Sequence, residues 1–231
     1  KGDIRPLVVN VMNFSKAGTG EPTLLSFEDA RTLFHEFGHA LHALLSDVTY
    51  PMISGTSVLT DWVELPSQLY EHWLERPEIL SRFAVHCRTG EPIPKDLLDR
   101  LIAARTFNQG CATVEYVASA LVDLDIHLLP SAGEVRGFDI GAFEQAALAR
   151  IDMPAEIVMR HRPTHFAHVF AGGGYASAYY SYMWSEVLDA DAFEAFEDTG
   201  DIFDAETAKG LHDHVYAAGG SRDPAELYTA F

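Results

Sequence analysis

One predicted helix, over residues 27–46, most constrains what this chain can fold into. Its apolar residues recur at helical spacing, and Ser26 followed three positions later by an acidic residue is typical of a helix start. Within this helix, His35, Glu36 and His39 form the pattern HExxH. Residues four apart lie on one helical face, so both imidazoles can reach one metal ion, while Glu36 projects about 100° around the helix from His35. The pattern therefore predicts a zinc site in which Glu36 takes a proton from the attacking water.

A catalytic zinc site needs a third protein ligand, and a fourth position that is open to water or substrate. Glu64 follows His39 by 25 residues and lies in a second predicted helix. If that helix packs against the first, Glu64 completes a set of two histidines and one glutamate. Spacing alone does not distinguish Glu64 from Glu71 or Glu75, so these two remain alternatives.

Two further residues near the pattern need an interpretation. His42 lies seven residues beyond His35 and thus one turn beyond the second histidine, too far along the helix to share the same ion. We expect His42 to pack beside the site or to support a ligand. Asp61 precedes Glu64 by three residues; it either orients a ligand histidine or caps its own helix.

The rest of the chain predicts a mainly α fold with a small β element near the N-terminus. Residues 7–14 are β-branched and partly alternating, which predicts a strand. Pro66 is expected as a kink or an early-turn residue of its helix. Apolar spacing predicts six further helices, over residues 61–74, 77–87, 95–129, 142–150, 177–197 and 205–217.

The charge of the chain excludes several classes of partner. It has 16 basic and 34 acidic residues and a formal net charge of −18. Nucleic acids and anionic membranes bind basic patches, so neither is an expected partner. No stretch approaches the roughly 20 apolar residues of a membrane span.

Cysteine usage favours a cytoplasmic protein. Cys87 and Cys111 have no metal-binding spacing, and both lie in partly apolar stretches that are predicted to be helical. We therefore expect two buried free thiols rather than a disulfide or a metal site.

Three segments in the same order resemble the zinc peptidase family of thimet oligopeptidase and the peptidyl-dipeptidases, which include dipeptidyl carboxypeptidase. Residues 33–42 read LFHEFGHALH, residues 54–73 contain SGT, DWVELPSQ and EHW, and residues 166–186 contain FAHVFAGGGY and YYSYMWSE. The resemblance extends over essentially the whole chain. It implies a mainly α, zincin-like (gluzincin) catalytic domain over residues 1–231 that binds one zinc ion. The implied ligands are His35, His39 and Glu64, with Glu36 as general base.

The same resemblance assigns roles to a downstream glycine-rich loop. Hydroxyl or imidazole donors there can stabilise negative charge on the former carbonyl oxygen, and glycines let the loop flex over a peptide. The matching catalytic residues are His168, Tyr175 and Tyr182, and those matching substrate contacts are Tyr179, Gly173 and Gly174. Seven positions separate His168 from Tyr175, one or two more than the family pattern, so an extra glycine is expected in the loop. Tyr180 is expected to be a core aromatic residue.

The resemblance also implies substrates and a missing part. Family members cleave short, unstructured peptides in a channel whose other wall is an N-terminal helical half, and this chain matches only the C-terminal part. Residues 54–57 and 108–110 are more similar to the dipeptidyl carboxypeptidase branch, which releases C-terminal dipeptides. Two alternatives remain open: internal cleavage of oligopeptides, and a zinc- or peptide-binding fragment that is inactive without the other half.

Overall fold

Helices dominate the computed structural model, which describes residues 5–130 and 137–231. Residues 1–4 and 131–136, which the predicted domain also includes, lie outside the described residues. The chain divides into two compact units, one made of Lys1–Leu98 with Met183–Phe231 and the other of Asp99–Tyr182. The predicted mainly α class is confirmed.

Eleven α-helices are found among the described residues, together with two short helices of other types. The α-helices are α1 Phe27–Leu45, α2 Thr60–Val63, α3 Leu65–Leu74, α4 Pro77–Phe83, α5 Lys95–Ala104, α6 Gln109–His127, α7 Ile140–Ala149, α8 Ala167–Phe170, α9 Ser181–Thr199, α10 Ala205–Leu211 and α11 Pro224–Ala230. A 3₁₀-helix spans Pro51–Ile53 and a π-helix spans His212–Tyr216.

The strand predicted near the N-terminus is wrong. Residues 7–14 form no strand, and Leu7, Val9 and Val11 are highly exposed. A strand needs a neighbour to complete its backbone hydrogen bonds, and alternation in the sequence does not supply one. Within the described part of the chain, β pairing is limited to an isolated bridge between Val85 and Pro92.

Helix α1 begins where the sequence predicts. The Ser26 hydroxyl accepts from the Asp29 amide at 3.0 Å, and the Asp29 carboxylate accepts from the Ser26 amide at 3.0 Å. These reciprocal bonds satisfy two amides that the first helical turn leaves without partners. The cap therefore fixes the register of the helix that carries the HExxH pattern.

Two of the predicted helices are interrupted. The helix predicted over residues 61–74 breaks at Glu64, and Pro66 lies at the start of α3, where a missing backbone N–H costs nothing. The helix predicted over residues 95–129 divides into α5 and α6, and Asn108 has a left-handed backbone with φ 57° at the N-cap of α6. A short α8 was not predicted.

Each unit has its own apolar core. In the first unit it is formed by buried residues of helices α2, α3, α9, α10, α11 and the π-helix: Trp62, Leu65, Leu69, Ala192, Phe193, Phe196, Leu211, Val215, Tyr216 and Leu227. In the second unit, α6 and α7 contribute Ala118, Val122 and Ala147, which pack with Met159.

The two cysteines are free thiols as predicted, but both are exposed, so their predicted burial is wrong. Cys87 lies in a turn beyond the end of α4, and Cys111 lies in the first turn of α6. Partly apolar surroundings in sequence did not reveal which side of each segment faces the core.

Among the described residues, we find no helix with the length and apolar character that crossing a bilayer requires.

Helices α1 and α3 cross closely at Gly38. A Cβ at this position would lie 2.5 Å from the Pro66 carbonyl oxygen and 2.6 Å from the Ser67 Cα, both of them backbone atoms. Only a residue without a side chain lets the two backbones approach this far. The crossing sets the start of α3, and with it Glu64, against the helix that carries His35 and His39.

We predict that Gly38→Ala destabilises the protein by about 1–3 kcal/mol, because the added methyl group pushes α1 away from α3. The matched control is Gly110→Ala, also in a helix, where an added Cβ meets nothing within 4 Å and should leave stability unchanged or slightly higher. The two midpoints of urea unfolding, measured against the parent chain, give the comparison. Equal midpoints for both variants would contradict the close crossing.

Candidate metal centre

Three predicted ligands lie together in the first unit. The Nε2 atoms of His35 and His39 lie 3.3 Å and 3.2 Å from the Glu64 Oε2 atom. The two imidazole rings are nearly perpendicular, with centroids 4.9 Å apart. Among the described residues, this is the group of histidine, cysteine and carboxylate side chains whose ligand atoms are close enough together to hold a metal ion.

The spacing of the three ligand atoms suits a tetrahedral ion. Ligand atoms about 2.0–2.1 Å from a tetrahedral zinc ion lie about 3.4 Å from one another. The observed separations of 3.2 and 3.3 Å are close to that value. Two imidazoles and one carboxylate are also a donor set that zinc takes in catalytic sites. The residues therefore fit the metal that the sequence pattern predicts.

Glu64 is held at the break between α2 and α3. Its side chain is buried, and the Ser67 hydroxyl contacts the Glu64 carbonyl oxygen at 2.8 Å and its Oε2 atom at 2.9 Å. The carboxylate is therefore fixed by the first turn of α3.

The other two candidate ligands occupy different positions. The Glu71 Oε1 atom lies 2.7 Å from the Nδ1 atom of His35, on the opposite side of the ring from the metal group. Glu75 pairs with Arg31 at 3.0 Å, and Arg31 also lies 3.8 Å from the Glu71 carboxylate. Ligand histidines commonly donate their second N–H to a carboxylate, which fixes ring orientation and raises ligand basicity. Glu71 is placed for this supporting role.

The supporting role of Glu71 was missed because it was considered only as a ligand. Arg31 and His35 are four residues apart on α1, and Glu71 on α3 is four residues before Glu75, the C-cap of α3. Paired charges at this spacing on two helices are a signal that these faces meet. The sequence does not specify which of these charged residues pair with each other, because the pairs depend on how α1 and α3 cross.

The electrostatics of His35 favour a positive charge at the site. Burial lowers the pKa of His35, but its hydrogen bonds to Glu64 and Glu71 and their negative charges outweigh burial and raise the pKa to about 9. Two carboxylates on one imidazole thus attract a cation strongly. A divalent metal ion supplies that charge when it binds and takes the place of the proton.

His42 packs in the core as predicted. It is fully buried, and its ring lies edge-on to Tyr216, 6.3 Å between centroids. Burial, with a smaller contribution from His39, lowers the pKa of His42 to about 4, so the ring is neutral at pH 7. Asp61 lies in the first turn of α2, but Leu59 occupies the N-cap position, so Asp61 is not the N-cap residue.

The predicted general base, Glu36, lies on α1 beside the ligands. Its neighbour in sequence is His35, and its side chain is partly exposed, as are the rings of His35 and His39. Glu64 in contrast is buried. The group is therefore closed on the α3 side and accessible to water on the side of α1 that bears Glu36.

The predicted donors of the glycine-rich loop lie together in the second unit. The Tyr182 hydroxyl contacts the His168 Nε2 atom at 2.9 Å. The His168 ring lies 4.5 Å from the Tyr175 ring and 5.5 Å from the Tyr179 ring, and the rings of Tyr175 and Tyr182 are parallel at 5.8 Å. The four side chains form one aromatic cluster with hydroxyl and imidazole groups on its surface.

The glycines between His168 and Tyr175 are open. A Cβ at Gly172, Gly173 or Gly174 would meet nothing within 4 Å, and Gly172 has a φ of 100°. Tyr180, expected in the core, is 38% exposed, so that prediction is wrong.

A cavity of about 550 Å³ adjoins this cluster in the second unit. It is lined by Tyr116, His161, His165, Phe166, Ala167, His168, Tyr179 and Tyr182. Burial and nearby Arg160 lower the pKa of His161. The sequence reasoning missed His161 and His165, although two further histidines shortly before His168 were a visible signal.

Comparison with known proteins places the chain in a family. The model of Peptidase family M3 matches residues 3–231. Dipeptidyl carboxypeptidase of Salmonella typhimurium is 40% identical over 99% of this chain and 33% of its own length. Dipeptidyl carboxypeptidase and oligopeptidase A of Escherichia coli are 38% and 39% identical, over 96% and 98% of this chain and 32% and 33% of their own lengths.

The chain belongs to peptidase family M3. This is a family of metallopeptidases, and the described residues contain a group that can hold a metal. The chain spans about a third of the length of the curated relatives it matches. Family membership confirms the resemblance that the three sequence segments indicated.

We predict that Glu71→Gln lowers zinc affinity about 10- to 100-fold, because the variant loses the negative charge that supports His35. The measurement is competition with a chelator of known affinity, followed through the zinc that the protein retains. Glu78→Gln, an exposed change on α4, is the control and should bind zinc like the parent chain. Unchanged affinity in Glu71→Gln would show that the Nδ1 contact does not support the metal.

Proposed function

We propose that this chain is the zinc-bearing catalytic domain of an oligopeptidase that hydrolyses peptide bonds in short, unstructured peptides. The single observation that carries the proposal is the convergence of His35, His39 and Glu64 within the spacing of a tetrahedral ion. Membership of peptidase family M3 supports it. The proposed cofactor is one zinc ion per chain.

The proposed reaction is attack of water on the peptide carbonyl carbon. A bound zinc ion would polarise the carbonyl and make water more acidic. Glu36 then accepts the proton of the attacking water and delivers it to the departing amine. The carboxylate of Glu64 and the imidazoles of His35 and His39 would hold the ion, and Glu71 would keep the His35 ring oriented.

We propose that the hydrogen-bond donors of the second unit stabilise the negative charge that builds on the former carbonyl oxygen. Hydroxyl and imidazole N–H donors aimed at such an oxygen stabilise it more than they stabilise the neutral substrate. His168, Tyr175 and Tyr182 have this chemistry, and their mutual contacts hold them in one arrangement. Tyr179, Gly173 and Gly174 are proposed to contact the peptide.

The proposed cleavage mode is release of dipeptides from the C-terminus. Two of the relatives reported above carry the name dipeptidyl carboxypeptidase, and another is named oligopeptidase A. The alternative is therefore cleavage within the peptide. A mode that depends on the C-terminal end needs a free carboxylate on the substrate, whereas internal cleavage does not.

The proposal also includes a second half of the protein, which would form the other wall of the substrate channel, and a cytoplasmic location. The relatives are about three times as long as this chain, and we propose that an N-terminal helical half covers the open side of the domain. The exposed Leu7, Val9 and Val11 are apolar surface that such a half would bury. Cytoplasmic location is proposed from the low cysteine content, and one relative in Arabidopsis thaliana is named a probable cytosolic oligopeptidase A.

We predict that Glu36→Gln retains about one zinc per chain while turnover falls about 10²- to 10⁴-fold, since the amide cannot accept the proton. Glu64→Gln should instead lose zinc, because it removes the charged ligand. Elemental analysis and hydrolysis of an internally quenched peptide, with and without chelator, measure both effects. Glu78→Gln is again the control.

Three results would count against parts of this assignment. Hydrolysis retained in Glu36→Gln would remove Glu36 as the base. Full zinc content in Glu64→Gln would require a different third ligand. Zinc binding without hydrolysis in the parent chain would favour the alternative of a metal-binding fragment that is inactive without the other half.

We predict that a peptide with a free C-terminus is cleaved to release a dipeptide. The same peptide with a C-terminal amide should be cleaved at least about tenfold more slowly. The reason is that the amide loses a charge-assisted contact worth more than about 1.4 kcal/mol. Mass spectrometry of the products measures this directly. Equal cleavage of both peptides at internal bonds would support the oligopeptidase alternative instead.

A further inference from the structure

One face of helix α6 carries three polar residues that the proposed reaction does not use. Tyr116, Asp123 and His127 are separated by seven and four residues, so they lie along one stripe of the helix. Asp123 is buried, which is unusual for a carboxylate. A buried carboxylate needs partners, and those of Asp123 lie in the segment after the glycines.

Asp123 binds the backbone of the segment that follows the glycines of the glycine-rich loop. Its Oδ1 atom accepts from the Ser177 amide at 3.1 Å, and its Oδ2 atom accepts from the Tyr179 amide at 3.0 Å. The His127 Nδ1 atom lies 2.9 Å from Oδ1. Hydrogen bonds to an ionised acceptor are about twice as strong as neutral ones. Both backbone amides are thus held by one buried carboxylate.

The neighbouring residues of the stripe hold the same segment at two more points. The Tyr116 hydroxyl donates to the Tyr179 carbonyl oxygen, so Tyr179 is held by α6 through both its N–H and its C=O. The His127 ring stacks on the Phe170 ring at 5.5 Å between centroids. Phe170 lies before the glycines and Ser177 and Tyr179 lie after them, so the stripe holds both ends of the glycine-rich loop.

Three consecutive glycines give this loop a large backbone freedom. Gly172, Gly173 and Gly174 have open space around their Cα atoms, and glycine has the most backbone freedom of any residue. Ser177 has a left-handed backbone with φ 59°, which a residue with a Cβ adopts only when its surroundings impose it. The hydrogen bond from its amide to Asp123 is such a constraint.

We propose that Asp123, supported by Tyr116 and His127, is a positioning residue that fixes the loop that bears Tyr175 and Tyr179 and leads into α9, where Tyr182 lies. This inference rests on the proposed function, in which those tyrosines act on the peptide. Asp123 does not touch the reacting groups; it determines where the donors stand before the substrate arrives.

The first test is hydrogen exchange at the amides of Ser177 and Tyr179. In Asp123→Asn, the carboxamide cannot accept at both ends, because its NH₂ group meets one of the two amide donors. We expect exchange at one or both amides to become faster by on the order of tenfold. The matched control is Asp125→Asn, two residues along the same helix, where the carboxylate pairs with Arg150 and touches no loop amide.

The second test separates positioning from general damage by kinetics. We expect Asp123→Asn to lower kcat about 10- to 100-fold with KM within about threefold, since the donors are misplaced when charge develops on the carbonyl oxygen. Zinc content should equal that of the parent chain, because the metal ligands belong to the other unit. Asp125→Asn should leave kcat, KM and zinc content unchanged.

Milder variants cover the case in which Asp123→Asn does not fold. Tyr116→Phe removes only the hydroxyl that binds the Tyr179 carbonyl and should speed exchange locally with a smaller loss of kcat. His127→Phe keeps the stacking on Phe170, whereas His127→Ala removes it, so only the alanine variant should loosen the segment before the glycines.

Each outcome decides one part of the inference. Unchanged exchange at Ser177 and Tyr179 in Asp123→Asn, or in Tyr116→Phe if the first does not fold, would overturn the anchoring. Faster exchange with unchanged kcat would overturn the positioning role. No hydrolysis by the parent chain would contradict the proposed function, and the exchange comparison would still decide whether α6 anchors the loop.

Discussion

The close crossing of α1 and α3 is the constraint on which the metal group depends. Backbone atoms of Pro66 and Ser67 occupy the space that a side chain at Gly38 would need. The same turn of α3 fixes the Glu64 carboxylate through the Ser67 hydroxyl. Because Gly38 is flanked by the HExxH residues, the crossing that buries the helices also brings the third ligand to the first two.

The charges around His35 favour a cation at this crossing. Burying the Glu64 carboxylate costs several kcal/mol unless a positive charge lies beside it. Arg31 lies near the outer carboxylate, Glu71, and the high pKa of His35 shows how strongly Glu64 and Glu71 attract positive charge. A divalent ion beside Glu64 would supply the positive charge that this buried carboxylate needs, so metal binding would also stabilise the fold locally.

The sequence predicted the parts of this arrangement that depend on local spacing. Ser26 and Asp29 indicate the start of α1, and the HExxH pattern puts the two predicted histidine ligands on one face of this helix. Glu64 could be preferred to Glu71 and Glu75 only through family resemblance, since the choice depends on how two helices cross. Residues 7–14 failed as a strand for the same reason: a strand is completed by a partner, which local alternation does not specify.

The anchoring stripe on α6 shows a further limit of pattern reasoning. A polar residue every three or four positions on a helix normally indicates the face turned to water. Asp123 follows that pattern and yet is buried, because its partners are backbone amides that no sequence pattern reveals. Three consecutive glycines have a large backbone freedom, so contacts from neighbouring elements can restrict the loop that contains them. We therefore attribute the burial of this carboxylate to its two contacts with the backbone that follows the glycines.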